Sequence, residues 1–342
     1  MHMKLREVQI EDAVGLPLAY DLTEIVPGQR KGAVLRRGHR ISAEDIPTLQ
    51  RIGKSVVYVL ELEKGEVHED DAALRLASML SGPGVKVEMP GEAWADVRAT
   101  LKGLLKVDMR RLLAINTIGD LLVATRHTNS NVAPGDLVAK AKVRGLVVEE
   151  GRLACAADLV GGDPVIKVIP FRCVRAGVVV TGREVYERRV EDAFTPLVAS
   201  RLAEYDSTVA ESEIVPDDAD EIARAILAML ERKVDMVLVT GGMSPDDCTP
   251  RAIELSGARV VFYGAPVSPG AMTLLAYHGA TPVLGVPAGI LARPRALFDL
   301  ILARLLAGES LSPTDIAEYG HGGLCLGCKT CSFPLCPFGR GA

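Results

Sequence analysis

From about residue 175 onward, apolar residues come in short blocks separated by amphipathic stretches. An apolar β-branched run at 176–181 precedes a helical pattern at 190–203, a strand at 209–215 and a helix at 219–232. The rhythm continues with a segment at 234–240 that reads as a fully buried strand, a short helix at 250–256, strands at Arg259–Tyr263 and 281–286, and a closing helix at 288–306. Runs of four to eight apolar residues bounded by turn residues read as buried strands, and the intervening 3.6-residue period reads as helix. Strands alternating with helices imply βαβ units, so the expected fold is α/β, a three-layer arrangement around a mostly parallel sheet. The Val215-Pro216-Asp217-Asp218 sequence marks one helix start, because a carboxylate at 217 or 218 can accept the free amide hydrogens of the first turn.

The first 174 residues follow another pattern. A helix is expected at 43–52 with Ser42 as its N-cap, then a strand at Val56–Leu60 and an acidic helical run at 67–80. Gly82-Pro83-Gly84 is a break. Beyond it, 85–168 carries short Val, Leu and Ile runs with glycine punctuation, such as Leu121–Thr125 and 137–148, which predict a small sheet or barrel. The expected domains are an α+β segment at 1–82, a small β-rich domain at 83–174, an α/β domain at 175–310 and a tail at 311–342. No internal repeat or low-complexity tract interrupts them.

Composition narrows the function classes. The chain has 342 residues, 48% hydrophobic and 24% charged, with a formal net charge of -5. No apolar run reaches the roughly eighteen residues of a membrane span, and the acidic balance argues against nucleic-acid binding. No membrane or nucleic-acid partner is expected, and a small molecule or a protein is. The cluster Arg36, Arg37, His39 and Arg40 reads as a solvated face.

The chemistry of the α/β part gathers in its strand-end loops. The apolar run ending at Thr240 enters Gly241 and Gly242, then Ser244, Asp246 and Asp247, and Thr249-Pro250 opens a helix. Glycines let the backbone turn sharply and approach a ligand, and a helix N-terminus favours an anion such as phosphate. Asp246 and Asp247 would repel that anion unless they meet a cation such as Mg2+ or the NH edge of a heterocycle, or else they serve as helix caps. The topology brings three more turns to the same edge: Thr181-Gly182-Arg183-Glu184 with Glu191 and Asp192 beyond, Gly264 to Ser268-Pro269-Gly270, and Pro287-Ala288-Gly289. Cys248 lies inside the loop, either reactive at a helix N-terminus or merely packed.

The last eighteen residues hold four of the seven cysteines, Cys325, Cys328, Cys331 and Cys336, as C-x2-C-x2-C-x4-C-P between glycines. This spacing suits four thiolates on a zinc ion or an iron–sulfur cluster, with a disulfide framework as the alternative. The chain shows no signal-peptide pattern, and a reducing cytoplasm is the expected setting. The tail is expected to be separable: removing 321–342 would take away bound iron or zinc and leave the α/β part folded. His321 could add a ligand, whereas Cys155 and Cys173 read as buried small hydrophobes.

Residues 175–308 resemble the molybdopterin-binding domain shared by MogA, MoeA and gephyrin. The resemblance is carried by Val180-Thr181-Gly182-Arg183-Glu184, by Thr240-Gly241-Gly242 with Asp247 to Pro250 downstream, by Ser268-Pro269-Gly270 and by Gly285-Val286-Pro287. The patterns at 15–21 and 31–53 resemble MoeA in particular. MoeA-type chemistry implies molybdate insertion into adenylylated molybdopterin with Mg2+, a homodimer, and hand-over to a molybdoenzyme or another biosynthesis protein. It also implies that Thr181, Gly182, Glu184, Thr240, Gly241, Gly242, Ser244, Asp246, Thr249, Ser268, Pro269, Gly270, Pro287 and Gly289 bind the pterin or its phosphate, with Asp247 and Asp192 in catalytic roles. The loop after Gly242 is two residues shorter than is usual there, and MoeA's Asp-Gly-Tyr-Ala and Thr-Gly-Ala segments have no counterpart. Pterin binding is therefore implied more strongly than insertion. A non-catalytic carrier or sensor, a pyrophosphatase of the competence-damage type and an iron–sulfur redox partner are the alternatives.

Overall fold

The computed structural model describes residues 5–16, 18–26, 30–60, 62–90 and 93–339. Pro17, within the 15–21 pattern, and residues 340–342, at the end of the tail, lie outside the described residues. The chain divides into two compact units. One comprises residues 1–100, 107–126 and 134–167; the other comprises 101–106, 127–133 and 168–342.

The second unit is built on a six-stranded sheet. Its elements are β1 (Arg175–Thr181), α1 (Phe194–Ala203), β2 (Thr208–Val215), α2 (Ala219–Glu231), β3 (Met236–Gly241), α3 (Cys248–Leu255), β4 (Arg259–Tyr263), β5 (Leu274–His278), β6 (Thr281–Pro287) and α4 (Leu297–Leu306). The strand order is β2-β1-β3-β6-β5-β4, with β1, β2, β3 and β6 parallel and β5 antiparallel to both its neighbours. Every residue of β3 is buried, as a central strand covered on both faces requires. Alternate residues serve opposite layers: Val178, Val180 and Leu238 pack with Val198, Leu202, Ile301 and Leu302, whereas Val179, Val237 and Val239 pack with Ile222, Ile226 and Ile253.

Two elements differ from the sequence reading. The helix expected at 288–306 is a 3-10 turn at Ala288–Ala292 followed by α4 at Leu297–Leu306. Pro294 explains the break: it has no N–H to donate and forces Arg293 into extended backbone, at φ -134 and ψ 141. Asp299 restarts the helix by accepting the Ala296 amide at 2.8 Å. The second difference is β5, unforeseen in the sequence, which forms a hairpin with β6 through Gly279 at φ +60. Elsewhere the local signals hold. Asp218, rather than Asp217, caps α2 by accepting the amides of Asp220 and Glu221.

In the first unit, Leu5–Gln9 pairs antiparallel with Val56–Leu60, and Ser42 forms a capping box with Asp45 before the helix Ile46–Arg51. Beyond Gly84 the region expected to be β-rich carries strands, including Leu121–Thr125, and also helices at Met109–Thr117 and Glu150–Val160. Cys155 lies on the latter helix and is exposed, as is Cys173; neither is the buried residue the sequence suggested. On that helix Leu153 and Ala156 face inward while the Cys155 thiol faces water, because a helix buries only one stripe, and Cys173 lies in the irregular segment before β1.

The cysteine tail packs against the α/β core. Phe338 is buried within the cluster formed by α1 and α4, and Cys325, Phe333 and Cys336 pack against it. A β-carbon at Gly339 would lie 2.5 Å from a Leu300 methyl, and one at Gly323 would lie 2.3 Å from the Tyr319 carbonyl oxygen. Upstream, the short helix Pro313–Ala317 is tied to α4 by Arg304, which holds Glu309 at 2.6 Å and Asp315 at 2.5 Å.

Phe338→Ala should lower unfolding free energy by about 3 kcal/mol, as expected for emptying a buried aromatic site, measurable by denaturant titration. A change within error would return the tail to the status of a loose appendage. Burial opposes ionisation of Asp315, yet hydrogen bonds from Ser312 and the Arg304 guanidinium hold its carboxyl at about 2, below the ordinary 3.8. Its contribution is therefore fully present above pH 3.8 and is lost as pH falls through 2. Asp315→Asn should flatten that part of the acid-unfolding curve, and an unchanged curve would mean that other carboxylates set it.

Candidate functional site

Parallel pairing brings the carboxyl ends of β1, β3 and β6 together: Val180 faces Thr240, and Gly241 faces Pro287. Tyr263, at the end of β4, faces Leu274, which in turn faces Gly285, so the loop between β4 and β5 leaves the same edge. Thr181 to Glu184, the 241–249 loop, the 264–270 turn and Pro287 to Gly289 thus share one border of the sheet. This is where open α/β sheets bind ligands. A cavity of about 470 Å³ lies at the opposite edge, lined by Arg172, Asp235, Arg259 and Glu309 among others, away from these loops.

The 241–249 loop is shaped by close approach. Gly241 has φ +149, and a β-carbon there would lie 2.5 Å from a Thr181 methyl. At Gly242 it would lie 2.4 Å from the carboxyl carbon of Asp247. Asp247 occupies the N-cap position of α3 but caps no amide of that helix; one of its oxygens accepts the Ser244 N–H at 2.6 Å. The carboxylate therefore folds back over the glycines, and the amides of Cys248 and Thr249 receive no cap from it. Ser244 and Asp246 are exposed. Thr249 is fully buried, with its hydroxyl oxygen lacking a hydrogen-bond partner. The Tyr263 hydroxyl donates to the Met243 carbonyl at 2.6 Å and pins the loop from the far side. Burial, then Asp247 and Asp246, raise the pKa of Tyr263.

The remaining candidate residues take several positions. Thr181 and Thr240 are buried at their strand ends, the Thr181 hydroxyl donating to Asp217 at 3.1 Å. Gly182 has φ +136, with Glu184 beside it and exposed. Asp192 accepts the amides of Phe194 at 2.8 Å and Thr195 at 3.1 Å, and so caps α1. Pro287 and the exposed Gly289 begin the turn after β6. Ser268 and Pro269 are tied on two sides. The Ser268 N–H donates to the Gly323 carbonyl at 2.9 Å and its carbonyl accepts the Cys325 N–H at 2.8 Å, while the Pro269 carbonyl accepts the Leu297 N–H at 3.1 Å. A β-carbon at Gly270 would lie 2.9 Å from the Leu297 nitrogen.

Asp217 and Tyr263 were absent from the sequence-derived set. Asp217 accepts the Cys248 thiol at 3.0 Å as well as Thr181. The Asp217-Asp218 doublet held a signal, since one carboxylate suffices to cap α2. Burial and the Asp217 carboxylate push the Cys248 thiol up to about 12, which removes the reactive-thiolate reading at neutral pH. Cys325, Cys328, Cys331 and Cys336 all line one pocket of about 140 Å³, which Arg293 and Arg295 share. Among the described residues, no three His, Cys, Asp or Glu side chains are arranged to hold a metal ion. None of the helices among the described residues is long and apolar enough to cross a membrane.

Comparison with known proteins bears on this edge. Residues 177–307 match the family described as a probable molybdopterin binding domain. Residues 7–61 match a family described as a domain of unknown function. A CinA-like protein of Mycobacterium avium is 35% identical over 95 residues, 27% of this chain and 22% of that protein. One from Mycobacterium tuberculosis is 37% identical over 81 residues, 23% of this chain and 19% of its own. The chain thus spans about a fifth of the length of these curated relatives. Among solved structures, the protein CinA from Thermoplasma acidophilum is 20% identical, covering 38% of this chain and 96% of its own at a TM-score of 0.33. The molybdopterin biosynthesis moea protein from Pyrococcus horikosii is 14% identical, covering 90% and 76% at a TM-score of 0.34. Likenesses that distant carry no weight for function.

Asp217→Asn removes both the hydrogen bond and the charge that hold the Cys248 thiol protonated. Its alkylation rate by iodoacetamide, followed by peptide mass spectrometry at pH 8, should rise roughly tenfold for each pKa unit recovered. Equal rates in the two proteins would show that burial alone protects the thiol.

Proposed function

We propose that the carboxyl edge of the sheet binds molybdopterin or its adenylylated form, in a MoeA-like role in molybdenum cofactor biosynthesis. The observation that carries this reading is the Asp247 carboxylate folded over Gly242 beside the N-terminus of α3, within the segment that matches the molybdopterin-binding family. In this reading the amides of Cys248 and Thr249 meet a phosphate, while Asp247 takes the NH edge of the pterin or a cation. Asp217, Asp246 and Asp247 make the edge acidic, so a phosphorylated ligand would bring Mg2+ with it; magnesium commonly takes one or two carboxylates together with substrate phosphate oxygens. Such an ion would neutralise charge on a leaving phosphate, the chemistry molybdate insertion calls for. Asp192 is assigned a positioning part through the helix it caps. A homodimer, a reducing cytoplasmic setting, a thiolate-bound metal in the tail and delivery to a molybdoenzyme belong to the same proposal.

The CinA-like relatives favour a second reading, hydrolysis of a nucleotide pyrophosphate at the same edge. ADP-ribose separates the two. Turnover with Mg2+ and no affinity for molybdopterin would replace the first reading with the second. Binding of molybdopterin without turnover of either compound would identify a carrier.

Anaerobic calorimetric titration with molybdopterin should give saturable binding to the wild-type chain. Asp247→Ala should weaken it about tenfold or more, the loss of one charge-assisted contact, with thermal stability little changed. Gly242→Val should abolish it, because its side chain needs the space the Asp247 carboxylate occupies. Wild-type affinity in both variants would move the ligand elsewhere.

A further inference from the structure

The cavity of about 470 Å³ lies at the amino edge of the six-stranded sheet, where the parallel strands begin. Four chain segments meet there: Arg172 to Val174 ahead of β1, Asp235 and Met236 at the start of β3, the turn between β5 and β6, and Gly308 to Ser310 after α4. Arg259, the first residue of β4, stands directly opposite Tyr277 on β5. Opposed residues of an antiparallel pair project from the same face, so the Arg259 guanidinium and the Tyr277 ring border the cavity together.

The charges around this cavity do not cancel. Glu309 is neutralised within the protein, held by Lys106 and Arg304 at 2.6 Å each. Asp235 is the other carboxylate, and it accepts the Arg175 amide at 2.7 Å. Against it stand Arg172 and Arg259, whose guanidinium groups make no ion pair or hydrogen bond among the described residues. Arg172 is nonetheless held in place: its amide donates to the Leu306 carbonyl at 2.8 Å, and a β-carbon on Gly308 would lie 2.5 Å from one of its guanidinium nitrogens. A cation at a helix C-terminus commonly serves the last carbonyls. Here that task is already done, because the carbonyls of Ala303, Arg304, Leu305 and Leu306 accept the amides of Ala307, Glu309, Gly308 and Arg172. Both guanidinium groups keep their donors for a group from outside the chain.

We propose that this cavity is a second ligand site, separate from the strand-end loops, for a small aromatic anion: a flat ring carrying a phosphate or carboxylate group. Arg172 and Arg259 take the anionic group in charge-assisted hydrogen bonds, which planar guanidinium groups make with both phosphate and carboxylate. The ring lies on Tyr277, whose hydroxyl is occupied by the Leu311 amide at 3.2 Å and leaves an apolar ring surface beside Met236 and Leu305. One carboxylate against two unpaired guanidinium groups leaves the cavity positive. Its volume is that of a small-molecule site, and its apolar wall with a few convergent polar groups is what such a ligand needs.

Naphthyl phosphate and naphthoate probe the two anionic groups, with naphthol as the neutral counterpart and inorganic phosphate as the ringless one. Cys173 is exposed and lines the cavity, so its alkylation by iodoacetamide, followed by peptide mass spectrometry, reports occupancy at that place. Calorimetric titration of the full chain should show saturable binding of at least one of the two naphthyl anions, and Cys173 alkylation should fall in proportion to the fraction bound. Arg172→Gln and Arg259→Gln, both at exposed positions, should each weaken that binding about tenfold or more, with thermal unfolding unchanged. The anion that binds more tightly names the ligand's charged group. Naphthol or inorganic phosphate binding as tightly as the naphthyl anions would overturn the aromatic-anion reading. Unchanged Cys173 alkylation at saturation would put the ligand elsewhere, and wild-type affinity in both arginine variants would remove the guanidinium groups from the site. No saturable binding of either naphthyl anion would overturn the proposal outright.

Discussion

Strand β3 ends in two glycines because the space that β-carbons would need is already taken. On one side the Thr181 methyl presses against Gly241 from the neighbouring strand; on the other the Asp247 carboxyl lies over Gly242. This double close approach fixes how the loop leaves the sheet. It turns Asp247 away from the amides it would otherwise cap, and Tyr263 then clasps the Met243 carbonyl. A helix N-terminus without its usual side-chain acceptor, facing a row of carboxylates, is suited to an anion that arrives with a cation. The chemistry of the edge thus descends from a packing constraint two residues long.

The same edge is held from outside by polar groups that cannot move independently. The Pro269 carbonyl is tied to the first residue of α4, and Ser268 to the tail. Helix α4 carries Asp299, which is buried and paired with Arg201 at 3.0 Å and Arg295 at 2.8 Å, and Arg304, which reaches Glu309 and Asp315. Removing one member of such a buried set leaves the others desolvated without compensation, so these pairs lock the register of α4. Through Pro294 and Ala296 that register also sets where Arg293 and Arg295 emerge beside the cysteines.

Much of this was legible from local pattern. The wholly apolar run before Thr240 could only be a strand covered on both faces, and Pro216-Asp217-Asp218 marked a helix start within one residue. Where reading failed, the cause was a competing local or long-range term. Pro294 broke a helix that amphipathic period alone would have extended, and β5 exists only because β6 lies ready to pair with it. Cys155 and Cys173 looked buried because their neighbours are apolar, but helix rotation and loop position expose them.

By itself the sequence determined the α/β class, the strand-end loops and the cysteine spacing, since each depends on residue types within a few positions of one another. Only the tertiary structure decided which of two adjacent aspartates caps α2 and which meets Thr181 and Cys248. It alone decided that Asp247 covers a glycine rather than a helix end, and that the tail belongs to the core. Those outcomes depend on which atoms reach the same space first, and chain segments distant in sequence compete for that space without leaving a trace in local pattern.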